Sequence, residues 1–252
     1  MLHHQTLALL QELRLTGMAQ ALEEQQGLPD LAQLSFEDRF ALLLEREKTA
    51  RENRRLTRLL QLAHFRLTAC VEDVNFRAKR GLDRSLFARL ASGDWIRQHA
   101  ALLITGPTGT GKTWLACALG QSACRQGHTV RYFRLPRFLS EDLPRAHADG
   151  SYGKLLHLLA KTELVVFDDW GLAPLVDRER RDLLEVIDDR AGRRATLITS
   201  QVPVDHWHDL IGDATFADAI LDRLVHHAHR LTLSGGSLRR LASGDANAER
   251  QQ

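Results

Sequence analysis

The sequence predicts an α/β fold with a mainly parallel sheet, preceded by an all-helical N-terminal domain. Three observations carry this. From residue 100 onward, short β-type runs alternate with helical stretches. The runs ALLIT (101–105) and LVVF (164–167) are continuously apolar, as central strands covered on both faces are. Before residue 75, apolar residues recur at helical spacing and no convincing strand is found.

Taken in order, Leu7, Leu10, Leu13, Met18, Ala21 and Leu22 trace a helical stretch that Gly27-Leu28-Pro29-Asp30 breaks. Ser35 has the chemistry of an N-cap, with Glu37 and Asp38 in the first turn. A long helix follows through Phe40, Leu43 and Leu44, then Leu56, Leu59, Leu60 and Ala63. Its middle is densely charged. Arg51, Arg54, Arg55 and Arg58 stand at i, i+3, i+4 and i+7, so they share one side of the helix. Such a side can track the phosphates of DNA. It can equally be a solvated face tied by i,i+4 pairs such as Glu47 with Arg51. Residues 76–98 form a connector, in which Gly81-Leu82-Asp83 and Ser92-Gly93-Asp94 bracket a short helix carrying Leu86, Phe87 and Leu90. Strands are expected at 101–105, 129–135, 164–168, 195–200 and 230–233. Helices are expected at 113–125, 137–147, 154–161, 178–190 and 216–228. The domains are therefore 1–75, helical, and 99–241, α/β, with a polar tail at 242–252.

Composition narrows the function classes. The chain has 252 residues, 44% apolar and 26% charged, which is ordinary for a globular protein with a real core. The net charge of +2 neither demands nor excludes nucleic acid. Of 34 basic residues only 5 are Lys, and Arg suits bidentate phosphate contact. Cys70, Cys117 and Cys124 form no CxxC pair, which fits a reducing compartment. No run approaches the length of a membrane span, and the first residues carry no export signal. A cytoplasmic location is expected. A membrane protein, a disulfide scaffold and a disordered chain are excluded.

The chemistry begins at Gly106-Pro107-Thr108-Gly109-Thr110-Gly111-Lys112-Thr113, a complete G-x-x-x-x-G-K-[ST] motif (Walker A). A strand enters it and a helix leaves it, as a phosphate loop requires. The glycines let the backbone curl so that successive N–H groups face phosphate oxygens, and the helix N-terminus adds a positive dipole. Lys112 is placed to reach the β- and γ-phosphates of ATP, and the Thr113 hydroxyl to ligate Mg²⁺. The strand at 164–168 then ends in two carboxylates. Asp168 is the candidate for Mg²⁺, and Asp169 for orienting the attacking water. Side chains alternate along a strand, but alternation relaxes at its end, so both carboxylates can face one site. The strand at 195–200 ends in Ser200-Gln201, where a polar side chain can touch the γ-phosphate or the water. Arg223 is a candidate arginine finger reaching a neighbour's ATP, or an ordinary partner of an acidic side chain. His206, His208, His226, His227 and His229 lack metal-binding spacing.

GPTGTGKT at 106–113, LVVFDDWG at 164–171, TLITSQ at 196–201, ADAILDRLVHHAHRL at 217–231 and SGGSLRR at 234–240 together resemble the IstB family. LSFEDRFALLLERE at 34–47 and RENRRLTRLL at 51–60 resemble that family's helical DNA-binding region. The family consists of AAA+ ATPases that help an insertion-sequence transposase, and it is similar to the DnaC-type helicase loaders. The resemblance implies a RecA-like AAA+ core and assembly on duplex DNA. It also implies a homo-oligomer with ATP between subunits, and recruitment of a partner transposase. By position it assigns Lys112 and Thr113 to the phosphate loop, Asp168 to Mg²⁺, and Asp169 to the acidic residue beside it. Ser200 falls in the sensor region and Arg223 at the finger, while Arg239 matches a nucleotide-sensing segment. Many AAA+ enzymes carry Glu where this chain has Asp169, one methylene shorter, which implies slow turnover stimulated by DNA or partner. A helicase loader is the alternative within the same core. A small-molecule kinase is a third reading, for which the sequence offers no lid insertion.

Overall fold

Residues 2–26 and 34–238 are described by a computed structural model. The chain divides into two compact units, Met1–Arg58 and Leu59–Gln252.

In the first unit, the single N-terminal stretch expected from the apolar spacing is two helices, α1 (Leu2–Glu12) and α2 (Thr16–Gln26). The break is a Schellman-type closure. Arg14 takes a left-handed φ of 58°, its N–H donates to Gln11 O at 2.9 Å, and Leu15 N–H donates to Leu10 O at 2.7 Å. Glycine is the usual residue at that position, so an arginine there gives no signal in the sequence. Helix α3 (Phe36–Ala63) is the long helix expected, and Ser35 caps it: Ser35 Oγ accepts from the Asp38 amide at 3.1 Å and donates to the Asp38 carboxylate at 2.7 Å. Gly17 lies against α3, where an added Cβ would come within 2.8 Å of Arg46 O and the Ala50 methyl. That close approach lets the Gly17 and Met18 amides donate to Glu47 Oε2 at 2.7 and 3.2 Å.

The second unit opens with α4 (Arg84–Ala91), capped by Asp83, which accepts from the Leu86 amide at 2.6 Å, and the short α5 (Asp94–Arg97). Then come β1 (Ala101–Thr105), α6 (Lys112–Arg125), β2 (Val130–Arg134), α7 (Leu135–Arg137), α8 (Leu143–Ala148) and α9 (Tyr152–Lys161). They are followed by β3 (Leu164–Trp170), α10 (Asp177–Arg190), β4 (Ala195–Ser200), α11 (Trp207–Ile211), α12 (Ala214–Val225) and β5 (His229–Thr232). The expected helix at 137–147 is broken. Pro136 and Pro144 each sit in the first turn of a short helix, and Phe138–Asp142 between them forms a π-type turn. Pro144 has no N–H to continue the ladder, so a new helix starts there. Leu135, expected in a strand, begins the first of these helices. Helix α11 was not expected. Trp207 seals it, fully buried and stacked on Trp170 with ring centroids 4.8 Å apart.

The sheet is five-stranded and all parallel, in the order β2-β3-β4-β1-β5. Leu102, Leu103, Ile104 and Leu164 to Phe167 are fully buried, so the two continuous apolar runs are inner strands. From β1 the chain crosses to the β2 edge, whereas β5 adds on the opposite side of β1. The loop after β1 therefore lies at a topological switch point, where open α/β sheets leave a crevice beyond their strand ends.

Arg190, at the end of α10, is 1% exposed and makes no ion pair among the described residues. Its guanidinium donates to the carbonyls of Leu159, Thr162 and Ala195 and to the Thr196 hydroxyl. Burial, and secondarily Arg194, pull its pKa down to about 9, which still leaves it charged at neutral pH. Replacing it with Ala strands three buried carbonyls and opens a cavity. Arg190→Ala is expected to cost about 3 kcal/mol. A melting curve of the full chain checks this: the expected fall is about 2–4 °C per kcal/mol, and a fall under a degree contradicts it. Among the described residues no helix is long and apolar enough to cross a membrane.

Candidate functional site

The loop after β1 is shaped by its glycines. Gly106 has a φ of 145°, and a Cβ there would lie 2.4 Å from the Leu233 carbonyl oxygen, a backbone atom that cannot yield. Gly109 and Gly111 also have positive φ, at 84° and 93°. The loop ends on Lys112, the first residue of α6, so the amides of 109–113 curl toward the helix N-terminus. Lys112 Nζ folds back to donate to the Gly106 and Pro107 carbonyls at 2.6 and 2.9 Å. Thr110 Oγ1 donates to Pro107 O at 2.9 Å, and Thr108 Oγ1 to Gln201 Oε1 at 2.5 Å. Beside the loop is a cavity of about 540 Å³, within the range that holds a nucleotide-sized ligand. Thr108, Gly109 and residues 111–114 line one side, and Arg66, Arg80, Arg134, Asp169 and Gln201 line others.

Asp168 is fully buried, and three hydroxyls converge on it. Thr113 Oγ1 lies 3.0 Å from both its carboxylate oxygens, the Tyr132 hydroxyl donates to Oδ2 at 2.6 Å, and Thr199 Oγ1 donates to Oδ1. Burial first, and the bond to Asp168 second, push the Tyr132 phenol far above its ordinary range, so it remains a donor. The next residue follows a β-bulge. Phe167 pairs with Ile198 but Trp170 pairs with Ser200, so Asp168 and Asp169 together oppose Thr199. Asp169 takes a φ of 68°, with its amide donating to Thr199 Oγ1 at 3.1 Å. At this bulge Asp168 stays buried beneath the three hydroxyls while Asp169 reaches the cavity. Asp169 lines the cavity and is held by Arg134 Nε at 2.9 Å and by Arg66 at 3.8 Å.

Other residues singled out from the sequence lie elsewhere. Ser200 is fully buried; its hydroxyl donates to Trp170 O at 2.9 Å and accepts from the Val202 amide at 3.0 Å. Its neighbours reach the site instead, Thr199 through Asp168 and Gln201 through Thr108. Arg223 lies away from the cavity, on an open groove with Asp205, Asp218 and Asp222. It donates to Asp188 Oδ1 at 2.5 Å and to Ala219 O at 2.8 Å. Arg51 and Arg54 both bond Glu47 Oε1, at 2.7 and 3.2 Å, and Arg54 also bonds Thr16 Oγ1 at 2.8 Å. Burial raises the Glu47 pKa, but its bonds from Arg51, Met18 and Gly17 outweigh this and hold it below the usual carboxylate range. Glu47 is therefore charged at neutral pH, and two of the four arginines are shared with it. Arg55 and Arg58 are exposed on the same helix. Arg239 lies outside the described residues. Cys117 and Cys124 are buried in α6, and burial pushes their thiols up to about 11 and about 12, which leaves them inert. Among the described residues no group of three or more His, Cys, Asp or Glu is placed to hold a metal ion.

The chain is similar to known proteins in sequence and in fold. The model of the family described as IstB-like ATP binding protein matches residues 8–246. An insertion sequence ATP-binding protein of Sinorhizobium fredii is 52% identical over 240 residues, covering 95% of this chain and 98% of the relative. The ATP-binding protein of insertion sequence IS1162 from Pseudomonas fluorescens is 56% identical over 204 residues, covering 81% and 88%. Among solved structures, a crystal structure of DnaI superposes with a TM-score of 0.57 at 18% identity, covering 66% of this chain and 90% of the other. The replication initiator DnaA bound to AMPPCP and single-stranded DNA gives 0.55 at 13% identity, covering 73% and 56%. At such identities these structures speak for the fold alone.

Proposed function

The chain belongs to the IstB-like ATP-binding protein family, and from that premise we propose that it is an ATPase that assembles on duplex DNA and recruits and stimulates a partner transposase there. One observation carries the catalytic part. Two segments far apart in sequence meet here: Lys112, Thr113 and Asp169 line one cavity at the switch point of the sheet, and Asp168 is buried directly behind, bonded to Thr113. The DNA and transposase part rests on the relatives, whose names place them in insertion sequences.

The residues fit ATP with magnesium. Positive-φ glycines, packed where a Cβ would strike Leu233, Ser237 or Arg80, let the loop take its curl, and Thr113 with Asp168 offers the hard oxygen donors magnesium takes. Magnesium there would neutralise charge on the β- and γ-phosphates. In this reading the amides of 109–113 hold the phosphates, and Lys112 leaves the loop carbonyls for the β- and γ-oxygens. Tyr132 and Thr199 keep the Asp168 carboxylate aimed. Asp169 orients the attacking water, which requires it to turn from Arg134. Its short side chain and its two arginine partners both support slow turnover in the isolated protein. Gln201, one residue beyond Ser200, is the polar side chain at the end of β4 that senses the γ-phosphate, next to Thr108 of the loop. Arg223, remote from its own cavity, serves a neighbouring subunit in the assembled form.

The test is binding of purified protein to duplex and to single-stranded DNA, with ATP·Mg²⁺ or ADP·Mg²⁺, while particle size is followed. Large ATP-dependent assemblies on duplex are expected. A preference for single strands favours a helicase loader, and no binding at low salt removes DNA from the function. The arginines make a finer expectation. Arg55→Ala with Arg58→Ala should weaken duplex binding and reduce the slope of log affinity against log salt by about 1 per lost phosphate contact. An unchanged slope would take this helix face out of the DNA site.

A further inference from the structure

Arg80 lies outside every motif, in the connector before β1, and it is only 3% exposed. It lines the phosphate-loop cavity. Its Nη1 donates to the Thr110 carbonyl at 3.0 Å and its Nη2 reaches Asn75 O at 3.4 Å. Its Nε is buried with no hydrogen-bond partner, and among the described residues no carboxylate pairs with the guanidinium. A buried, uncompensated cation is costly unless something anionic joins it. Burial accordingly pulls its pKa below the usual arginine range.

The contact with Thr110 has a consequence for the loop. A trans peptide carries its C=O and the following N–H in opposite directions. The Thr110 carbonyl is turned to Arg80, so the Gly111 amide is turned away from it, into the curl of the loop. A cationic donor on the carbonyl also polarises that amide and strengthens it as a donor. The fit is close, because a Cβ on Gly111 would lie 2.6 Å from Arg80 Nη1.

We propose that Arg80 is a positioning residue of the nucleotide site: it fixes the Thr110–Gly111 peptide with its N–H toward the phosphates, and the phosphates supply the anion its buried guanidinium lacks. This rests on the ATP reading of the cavity. It makes a buried charge outside the phosphate-loop motif a determinant of phosphate affinity. The nucleotide-free protein then carries a strained electrostatic site that ADP or ATP relieves.

The experiment compares wild type, Arg80→Met, Arg80→Lys and Lys112→Ala, each as the full chain. ADP affinity is measured by titration well below the melting temperature, and melting is measured without nucleotide. Arg80→Met is expected to weaken ADP binding about tenfold or more, because a charge-assisted interaction is lost. It is expected to melt no lower than wild type without nucleotide, because an unpaired buried charge is gone. Arg80→Lys should recover a large part of the affinity. The proposal is overturned if Arg80→Met binds ADP within twofold of wild type. It is equally overturned if its loss of affinity comes with a lower melting point that Arg80→Lys does not repair, since Arg80 would then be a structural rivet. Lys112→Ala separates the two levels: if it too binds ADP like wild type, the ATP reading of the cavity fails, not merely the role of Arg80.

Discussion

Lys112→Ala is expected to lose nucleotide affinity by about 10²–10³-fold while leaving the fold intact. The argument starts from what Lys112 does without a ligand. It is 8% exposed and its ammonium donates to two loop carbonyls, Gly106 O and Pro107 O. Those bonds hold the cation over the curl of the loop, close to the amides of the helix start. A compact point charge there reaches phosphate by exchanging these two carbonyl bonds for phosphate oxygens. Removing it leaves the loop amides and the helix dipole, which bind anions only weakly by themselves. The two loop carbonyls lose a donor, but Gly106 is half-buried and Pro107 exposed, so both can take water instead. Stability should therefore change by only about 1 kcal/mol. Titration with a fluorescent ADP analogue, with circular dichroism as the check on folding, decides the matter. Affinity within threefold of wild type would put the nucleotide somewhere other than this cavity.

Much of this architecture was legible from residues alone, and the exceptions have identifiable causes. Strand positions came through because continuous apolar runs are unambiguous once a glycine loop separates them from a helix. Ser35 and Asp83 were legible as caps because their chemistry is local. The break between α1 and α2 was not, because a Schellman turn with Arg14 in place of glycine leaves the apolar spacing unbroken. The Asp168–Asp169 pair was visible as sequence, but the bulge at which both oppose Thr199 depends on pairing with β4. Tyr132, Arg134, Thr199 and Arg80 could not be singled out at all. Each reaches the site by a neighbour relation between strands or loops far apart in sequence, and the order β2-β3-β4-β1-β5 is what creates those relations. Arg54 marks a different limit: helical spacing put it on one side with Arg51, Arg55 and Arg58, a side open to DNA or to ion pairing, and could not foresee its bonds to Thr16 and Glu47. Periodicity reports which residues share a face and is silent on what that face touches.

The Asp168→Asn variant isolates the chemical step, because it changes charge at nearly constant shape. Three hydroxyls surround this carboxylate, from Thr113, Tyr132 and Thr199. Hydroxyl hydrogens rotate, and each oxygen can accept as well as donate. Asn keeps one acceptor oxygen for the Tyr132 donor, while its amide hydrogens turn to a threonine oxygen. One threonine hydroxyl loses its acceptor, so the stability loss should be about 1–2 kcal/mol. The negative charge that would hold magnesium beside Thr113 is gone, however. Hydrolysis should fall by about 10³-fold or more, because charge on the transferring phosphoryl group is no longer neutralised. ADP affinity without magnesium should hardly move, since Lys112 and the loop amides are untouched. This split between binding and turnover distinguishes Asp168 from Lys112, where binding itself is lost. It also distinguishes Asp168 from Asp169, which lines the cavity and pairs with Arg134. Asp169→Asn should depress turnover while preserving the magnesium dependence of nucleotide affinity, whereas Asp168→Asn should abolish that dependence. Single-turnover hydrolysis and ADP titrations with and without magnesium read both quantities. If Asp168→Asn hydrolyses ATP within tenfold of wild type, the metal is held by other groups and the assignment built on the β3 bulge has to be withdrawn.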